Sequence, residues 1–438
     1  MSVVFATNPA ELFTVCNQVL VYSCYETGSM GAGFRFVVWV SEYDDTTLKE
    51  IAKLYISANT ELKGHFDLSE IVKDRLKVDD NQGYLGAVIH KEQRICVSQN
   101  NSRKYKIDIG SYTTAGGEGS VQASKYIYLI DGAFQVTSGL EPSFADFYPT
   151  SIVTGSWKKA FLTDRWSDLK VKTNLNAGMT WNMGDDDEAV IAWIHDSNII
   201  GGIDDKLSCD FYDSAGVLIG SSNFLIDAIG GNALTDTNYN EKVHYAGVGP
   251  KNIVTWATFN PVTNPDWGYY MIRLKDNKDQ CSKYLKVVRD CTMLRGQRVQ
   301  LAYTNRLGGW DYLVFDGFNT KSETKTDKPY IKHLGDWSDS TYHFIESSRE
   351  LASAQILTTK SYSLKTNRFT SQDFYLLQGA LRSDNVMIRF VGGSEFVEDN
   401  DKWLPVNIKD SSYEIRDFGN AKIYDVKVKV ELAQIIRC

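Results

Sequence analysis

Acidic side chains and histidines are where this chain could carry chemistry. Asp185-Asp186-Asp187-Glu188 gathers four acids and could hold a hard cation through oxygen ligands. It lacks the alternating ligand spacing and turn glycine of an EF-hand, so it reads as a solvated turn. His195-Asp196 has the composition of a catalytic pair, but a histidine at a strand end reads as structural. The histidines (His65, His90, His195, His244, His333 and His343) fall neither at His-x3-His nor beside a Cys pair, and no metal site is expected.

Loops that could cradle phosphate give the same answer. Ala115-Gly-Gly-Glu-Gly-Ser120 lacks a following Gly-Lys-Ser/Thr and opens no helix. Gly28, Gly31 and Gly33 have the dinucleotide spacing reversed and lead into a strand. There is no Gly-x-Ser-x-Gly elbow, and no local signature supports a Cys/His dyad. Glycoside hydrolysis needs two acids roughly 5–10 Å apart in a cleft. With 55 Asp and Glu in the chain, some pair always meets that distance, so spacing does not identify one. Trp157, Trp166 and Trp181 could stack on sugars or fill a core or an interface. No catalytic residue, cofactor or metal is therefore assigned.

One block stands out without suggesting turnover. Tyr303-Thr-Asn-Arg-Leu-Gly-Gly-Trp-Asp-Tyr-Leu-Val-Phe-Asp316 reads as two strands, or one bent strand, broken at Gly308-Gly309. Glycine there permits positive φ or close backbone approach, while Trp310, Tyr312 and Phe315 suit a half-buried sheet face. Asn305, Gly308, Gly309, Trp310 and Asp311 are the candidate residues for a turn important to folding and assembly.

The surrounding elements are mostly strands. Residues 18–26 and 33–42 predict two strands around the turn at 27–31, the second covered on both faces. Leu48–Ile56 fits a helix through Thr47-x-x-Glu50 and fits a strand through alternating Ala52, Leu54 and Ile56. Asp67–Leu76 predicts a helix of about 67–77, capped by Asp67, with Leu68, Ile71, Val72 and Leu76 on one face. Tyr105–Ile109 and Lys125–Ile130 are further strands, and turn signals every eight to twelve residues between about 150 and 300 suggest a β-sandwich. Lys321–Lys328 reads as an exposed hairpin tip or loop. A helix of about 371–383 follows, with Thr370 as cap and Phe374, Leu377 and Leu381 on one face. Lys422–Leu432 alternates Tyr424, Val426, Val428, Val430 and Leu432 with charged residues, as a half-buried strand does.

Length and composition set the frame. With 438 residues, the chain suits two or three domains. The reading is a mostly β, multi-domain, β-sandwich-like architecture. It comprises an N-terminal β domain (1–165) with one packed helix, a middle sandwich-like domain (166–300) and a C-terminal β domain (301–438) with one helix. Tyr is abundant (24) and Pro scarce (8), which favours sheets. A net charge of −8 argues against a nucleic-acid partner, and no apolar run approaches the roughly 18 residues of a membrane span. The start of the sequence lacks a signal-peptide pattern, and seven scattered cysteines without a Cys-x-x-Cys pair suit free thiols and synthesis in a reducing cytoplasm. Cys281 and Cys291 could meet across a hairpin.

The order of short motifs resembles a family. A strand pair precedes Phe66-Asp-Leu-Ser-Glu-Ile-Val72, and Lys159-Ala-Phe-Leu-Thr163 follows a run of strands. Gly247-Val-Gly-Pro-Lys-Asn-Ile-Val254 precedes Tyr284–Cys291. Asn305-x-x-Gly-Gly-Trp-Asp311, a Leu-rich helix, Trp403-Leu-Pro-Val-Asn-Ile408 and a final alternating strand complete the series. This resembles virion structural proteins of tailed bacteriophages, particularly those infecting Bacteroidota, crAss-like phages among them. The resemblance implies a non-enzymatic tail, tail-ring or baseplate component located in the virion. Its implied partners are other tail, neck or baseplate proteins and further copies in a ring. A receptor- or glycan-binding module at the tail tip, meeting a host surface glycan, is the alternative. A depolymerase is a third reading.

Overall fold

The computed structural model describes residues 3–7, 13–15, 20–28, 33–44, 47–72, 75–76, 95–97, 101–130, 132, 161–165, 179–195, 206–225, 242–254, 256–261, 263–264, 266–275, 282–291, 298–317, 319–331, 351–369, 371–391, 402–418, 421–433 and 436–437. The protein is mostly β and multi-sheeted, as its composition suggests. The chain divides into two compact units, Met1–Thr292 with Tyr303–Tyr312 and Met293–Ala302 with Leu313–Cys438.

Among the described residues the first unit contains four sheets. One is β1 (Val3–Thr7), β3 (Val21–Glu26) and β6 (Lys63–Asp67), in the order β1-β3-β6. The second runs β2-β10-β8-β4-β5, from β2 (Phe13–Val15), β10 (Ala123–Ile130), β8 (Ser102–Thr113), β4 (Arg35–Asp44) and β5 (Thr47–Ser57), with β9 (Gly117–Glu118) on β8. The strands expected around the turn at 27–31 therefore belong to different sheets, and β4 pairs with β5 and β8 instead. Leu48–Ile56 settles as strand β5. Its Leu54 and Ile56 pack on the core, so alternation outweighs the capping-box pattern.

Side chains from these two sheets share one core. Tyr22, Cys24 and Phe66 come from the first, and Phe36, Val38, Val40, Tyr105, Ile107, Ile109, Ile127 and Leu129 from the second. Of the helix predicted after β6, the described residues show α1 (Ser69–Val72). Asp67 Oδ1 accepts from Ser69 N at 2.9 Å and from Leu20 N at 3.2 Å, so it ties the helix start to the residue that leads into β3 as well as capping it. Leu68, Val72 and Leu76 complete the apolar face that the sequence predicts.

The third sheet is β11-β17-β16-β13-β14, from β11 (Met179–Met183), β17 (Leu285–Arg289), β16 (Trp267–Lys275), β13 (Lys206–Asp213) and β14 (Leu218–Leu225). The fourth is β12-β15-β7, from β12 (Val190–His195), β15 (Lys242–Gly247) and β7 (Ile95–Val97). A short α2 (Pro250–Ile253) follows β15, with Pro250 in its first turn, where a missing N–H costs nothing.

An eight-stranded sheet, most of whose residues belong to the second unit, runs β19-β18-β22-β23-β24-β21-β20, with β25 (Ile436–Arg437) on β21. Its strands are β18 (Arg298–Thr304), β19 (Trp310–Phe315), β20 (Thr320–Ile331), β21 (Leu351–Phe369), β22 (Val386–Val391), β23 (Trp403–Phe418) and β24 (Ala421–Leu432). Strand β24 is the alternating segment, with Val426, Val428 and Val430 buried and Lys427 and Lys429 exposed. Helix α3 (Ser371–Ala380) buries Leu376 and Leu377, within the helix predicted over about 371–383. Lys321–Lys328 is not a loop but part of β20. Its polar residues form a long strand because β21 supplies a complete hydrogen-bonding edge.

Phe36 sits at the centre of the first core, fully buried, edge-on to Phe34 at 5.0 Å and against Gly64, where a Cβ would lie 2.5 Å from its ring. The Phe36→Ala protein is expected to lose about 3–5 kcal/mol of stability in urea unfolding. A loss below about 1 kcal/mol would show that the core collapses around the gap.

Candidate functional site

The block that the sequence singles out folds into the turn joining β18 to β19, and its five candidate residues meet there. Asn305 organises the turn. Its backbone N–H donates to Gly309 O at 2.8 Å, and its backbone carbonyl accepts from Gly308 N at 3.0 Å. Its Oδ1 accepts from Leu307 N (2.9 Å) and Gly309 N (3.0 Å), while Nδ2 donates to Leu162 O and Asp311 Oδ2, both at 3.0 Å. A carboxamide supplies acceptor and donors on two separate atoms, as these four bonds require.

The two glycines serve different ends. Gly308 has φ +81°, in the left-handed region, and its carbonyl accepts from Asn101 Nδ2 at 2.6 Å. At Gly309 a Cβ would stand 2.0 Å from the Leu162 carbonyl oxygen, so the missing side chain is what lets the backbones meet. Leu162 is itself anchored, with its N–H on Ala192 O at 2.8 Å. Trp310 is buried, and its indole N–H has no hydrogen-bond partner among the described residues.

Beneath the turn lies a buried ionic network. Asp311 accepts from Thr163 Oγ1, from Asp164 N at 2.9 Å and from Asn305. Asp164 accepts from Arg306 Nε at 2.6 Å. Arg165 donates to Tyr312 O and lies 5.6 Å over the Trp181 ring, which meets Tyr312 edge-on at 5.7 Å. The Tyr312 hydroxyl accepts from Val190 N at 3.0 Å. Loss of water raises the Asp164 carboxyl to about 6; Arg306 opposes the rise and the neighbouring Asp311 adds to it. Burial also raises Asp311, against its hydrogen bonds and the Arg165 charge. Both acids are buried, and their oxygens accept hydrogen bonds from the chain itself.

The remaining candidates scatter. Asp185 takes two hydrogen bonds from Arg289, at 3.0 and 2.6 Å; Asp187 accepts from Gly184 N at 2.8 Å; Glu188 pairs with Lys251 at 3.4 Å. Among the described residues no group of three or more His, Cys, Asp or Glu is placed to hold a metal ion. His195 pairs by its backbone with Lys242. Trp181 is core. Trp157, Trp166 and Cys281 lie outside the described residues, and Cys291 is an exposed free thiol.

What the sequence reading misses is an arm. Strand β20 pairs with β21 from Thr320↔Ser363 to Ile331↔Leu351, about 40 Å at ~3.4 Å per residue. All of β20 but Lys321 is exposed, and its far end shows Tyr330, Ile331 (75% exposed) and Leu351 (63%). The period-two alternation of Lys321, Glu323, Lys325 and Asp327 with Thr and Ser is the signal that could have found it.

No family model and no curated protein matches the chain. Among solved structures it is similar to trypsin-activated alpha-2-macroglobulin from Escherichia coli at 7% identity and a TM-score of 0.19. That likeness covers 98% of this chain and 23% of the other, and at this TM-score it carries no argument.

Gly309→Ala is expected to cost at least about 2 kcal/mol, because the clash is with backbone, whereas Gly308→Ala should cost about 1 kcal/mol for the left-handed φ. Chemical denaturation of both variants checks the order, and equal losses would refute the close-approach account. For Asp164, the folded value lies above the ordinary 3.8, so its contribution is fully present below about pH 3.8 and is lost as pH rises through about 6. The melting temperature of the protein, relative to Asp164→Asn, should therefore fall between pH 4 and pH 7. A difference independent of pH would show that Asp164 does not titrate in that window.

Proposed function

We propose that this chain is a non-enzymatic structural subunit of a bacteriophage virion: a tail, tail-ring or baseplate component that assembles through its β-domains. The β20–β21 arm carries the reading. Beyond the pairings of β21 with β24 and β25, Asp327–Ile331 and Leu351–Ile356 form a two-stranded ribbon, which is marginal in water, and β20 is exposed along nearly its whole length. Such a ribbon gains its stabilising contacts from another chain, and the exposed Ile331 and Leu351 at its far end add apolar surface for that contact. The ordered motifs through Asn305–Asp311 supply the resemblance to virion proteins. In this reading no cofactor is used, the partners are neighbouring tail, neck or baseplate proteins and further copies in a ring, and the site of action is the particle.

A glycan-binding role has one observation in its favour. The outer face of the β2-β10-β8-β4-β5 sheet shows Tyr55 and Tyr126 exposed, with Trp39, Tyr43 and Tyr112 partly so. Two lysines lie over these rings. Lys53 stands 5.6 Å from the Trp39 ring and 5.7 Å from Tyr55, and Lys104 is 5.0–5.2 Å from Tyr43, Tyr126 and Tyr128. Ring faces covered by cations are poorer platforms for sugar, so the structural reading is preferred.

Shortening the arm by joining Lys325 to Thr358, which pair across it, should leave the protein folded by circular dichroism but absent from purified particles. Mass spectrometry of particles carrying the intact chain should find it in multiple copies. Normal incorporation of the shortened chain, or absence of the intact one, would overturn the reading.

A further inference from the structure

Strand β20 ends its sheet, and among the described residues no strand pairs with its outer edge. Its register with β21 is regular from Thr320 to Lys328 and shifts between Lys328 and Pro329. On one face of that stretch stand Lys321, Glu323, Lys325 and Asp327, and Lys321 Nζ lies 3.2 Å from Glu323. The other face carries Thr320, Ser322, Thr324, Thr326 and, at its end, Lys328.

We propose that the outer edge of β20 pairs antiparallel with the same strand of a second copy of this chain, about a two-fold axis at Thr324. This names the partner of the arm and rests on its reading as an assembly element. The charge order is self-complementary in that register. Lys321 faces Asp327 of the other copy, Glu323 faces Lys325, and symmetry repeats both pairs. On the opposite face Ser322 meets Thr326 and Thr324 meets its own image, pairs that exchange hydroxyl hydrogen bonds. At the end of that face the two-fold at Thr324 sets Lys328 against the neutral Thr320.

The neighbouring same-face registers fail on charge. Sliding by two residues one way sets Lys325 against its own image and Glu323 against Asp327; sliding the other way sets Lys321 against Lys325 and Glu323 against itself. Parallel pairing in register opposes like charges throughout. Edge strands that resist pairing usually carry charge, often lysine, and proline. Here the signs alternate and cancel over the four positions, and Pro329, which has no N–H to donate, falls just outside the paired stretch. The contact is isologous, so it closes at two copies and leaves the remaining surfaces free for ring contacts.

Sedimentation velocity over a range of concentrations tests the pairing with two double variants. Lys321→Glu/Lys325→Glu makes the face wholly acidic, and Glu323→Lys/Asp327→Lys makes it wholly basic. The unaltered protein should dimerise, each variant alone should dimerise at least about tenfold more weakly, and mixing them should restore the dimer. Restoration also shows that both variants are folded. A protein monomeric throughout, variants that self-associate as tightly as the parent, or a mixture that stays monomeric would overturn the self-pairing. If the dimer fails while the shortened arm is still excluded from particles, the assembly role stands and its partner is a different chain. If the dimer forms and particles lack the chain, the self-pairing stands and the virion role falls.

Discussion

The carboxamide of Asn305 is the contact on which the first unit's interior depends. It closes its own turn through Oδ1 and reaches through Nδ2 to Leu162 and Asp311, residues far apart in sequence. The segment 161–165 has little regular structure and could not satisfy its buried backbone alone. The turn and the Asp311 carboxylate supply partners for Leu162, Thr163 and Asp164, and β12 supplies the rest through the Phe161–Trp193 bridge and Ala192. Glycine at 309 is the steric condition for that meeting.

Burying Asp164 and Asp311 side by side is costly, and the cost explains the cations around them. Desolvation dominates the Asp164 shift even with Arg306 at 2.6 Å, so the ion pair compensates the burial without exceeding it. What the arrangement supplies is specificity of position. Each acceptor has a directed donor, and a slipped hairpin would leave charges unpaired in the interior.

Much of this was legible in the sequence, for identifiable reasons. Val426, Val428 and Val430 alternate with lysines because one face of β24 is core and the other solvent, so period two reveals the strand. The Gly308-Gly309 break is visible because glycine pairs between aromatic runs mark special backbone. That Asn305 and Asp311 join Leu162, Thr163 and Asp164 is not visible, since those contacts cross more than a hundred residues. The two strands predicted at 18–26 and 33–42 both form, but their partners are not visible for a related reason: both are apolar enough to enter either sheet, and the choice lies with β6, β5 and β8. Lys321–Lys328 suggests a hairpin tip or loop rather than the body of strand β20 because hydrophobic periodicity is blind to a strand with no buried face. Its alternation is in charge and hydroxyl.

That blindness separates two kinds of strand in the molecule. Strands such as β4 and β8 are made by burial, and their sequences record an interior. Strand β20 buries nothing within its own chain, so its sequence can record only what its outer surface must avoid or must meet. A strand that must only stay soluble is served by charges of one sign in any order. An order of alternating signs that pairs all four charges in a single antiparallel register, and repels itself in the registers two residues to either side, constrains position as well as solubility. Such a constraint has physical meaning only where another strand is present to be placed.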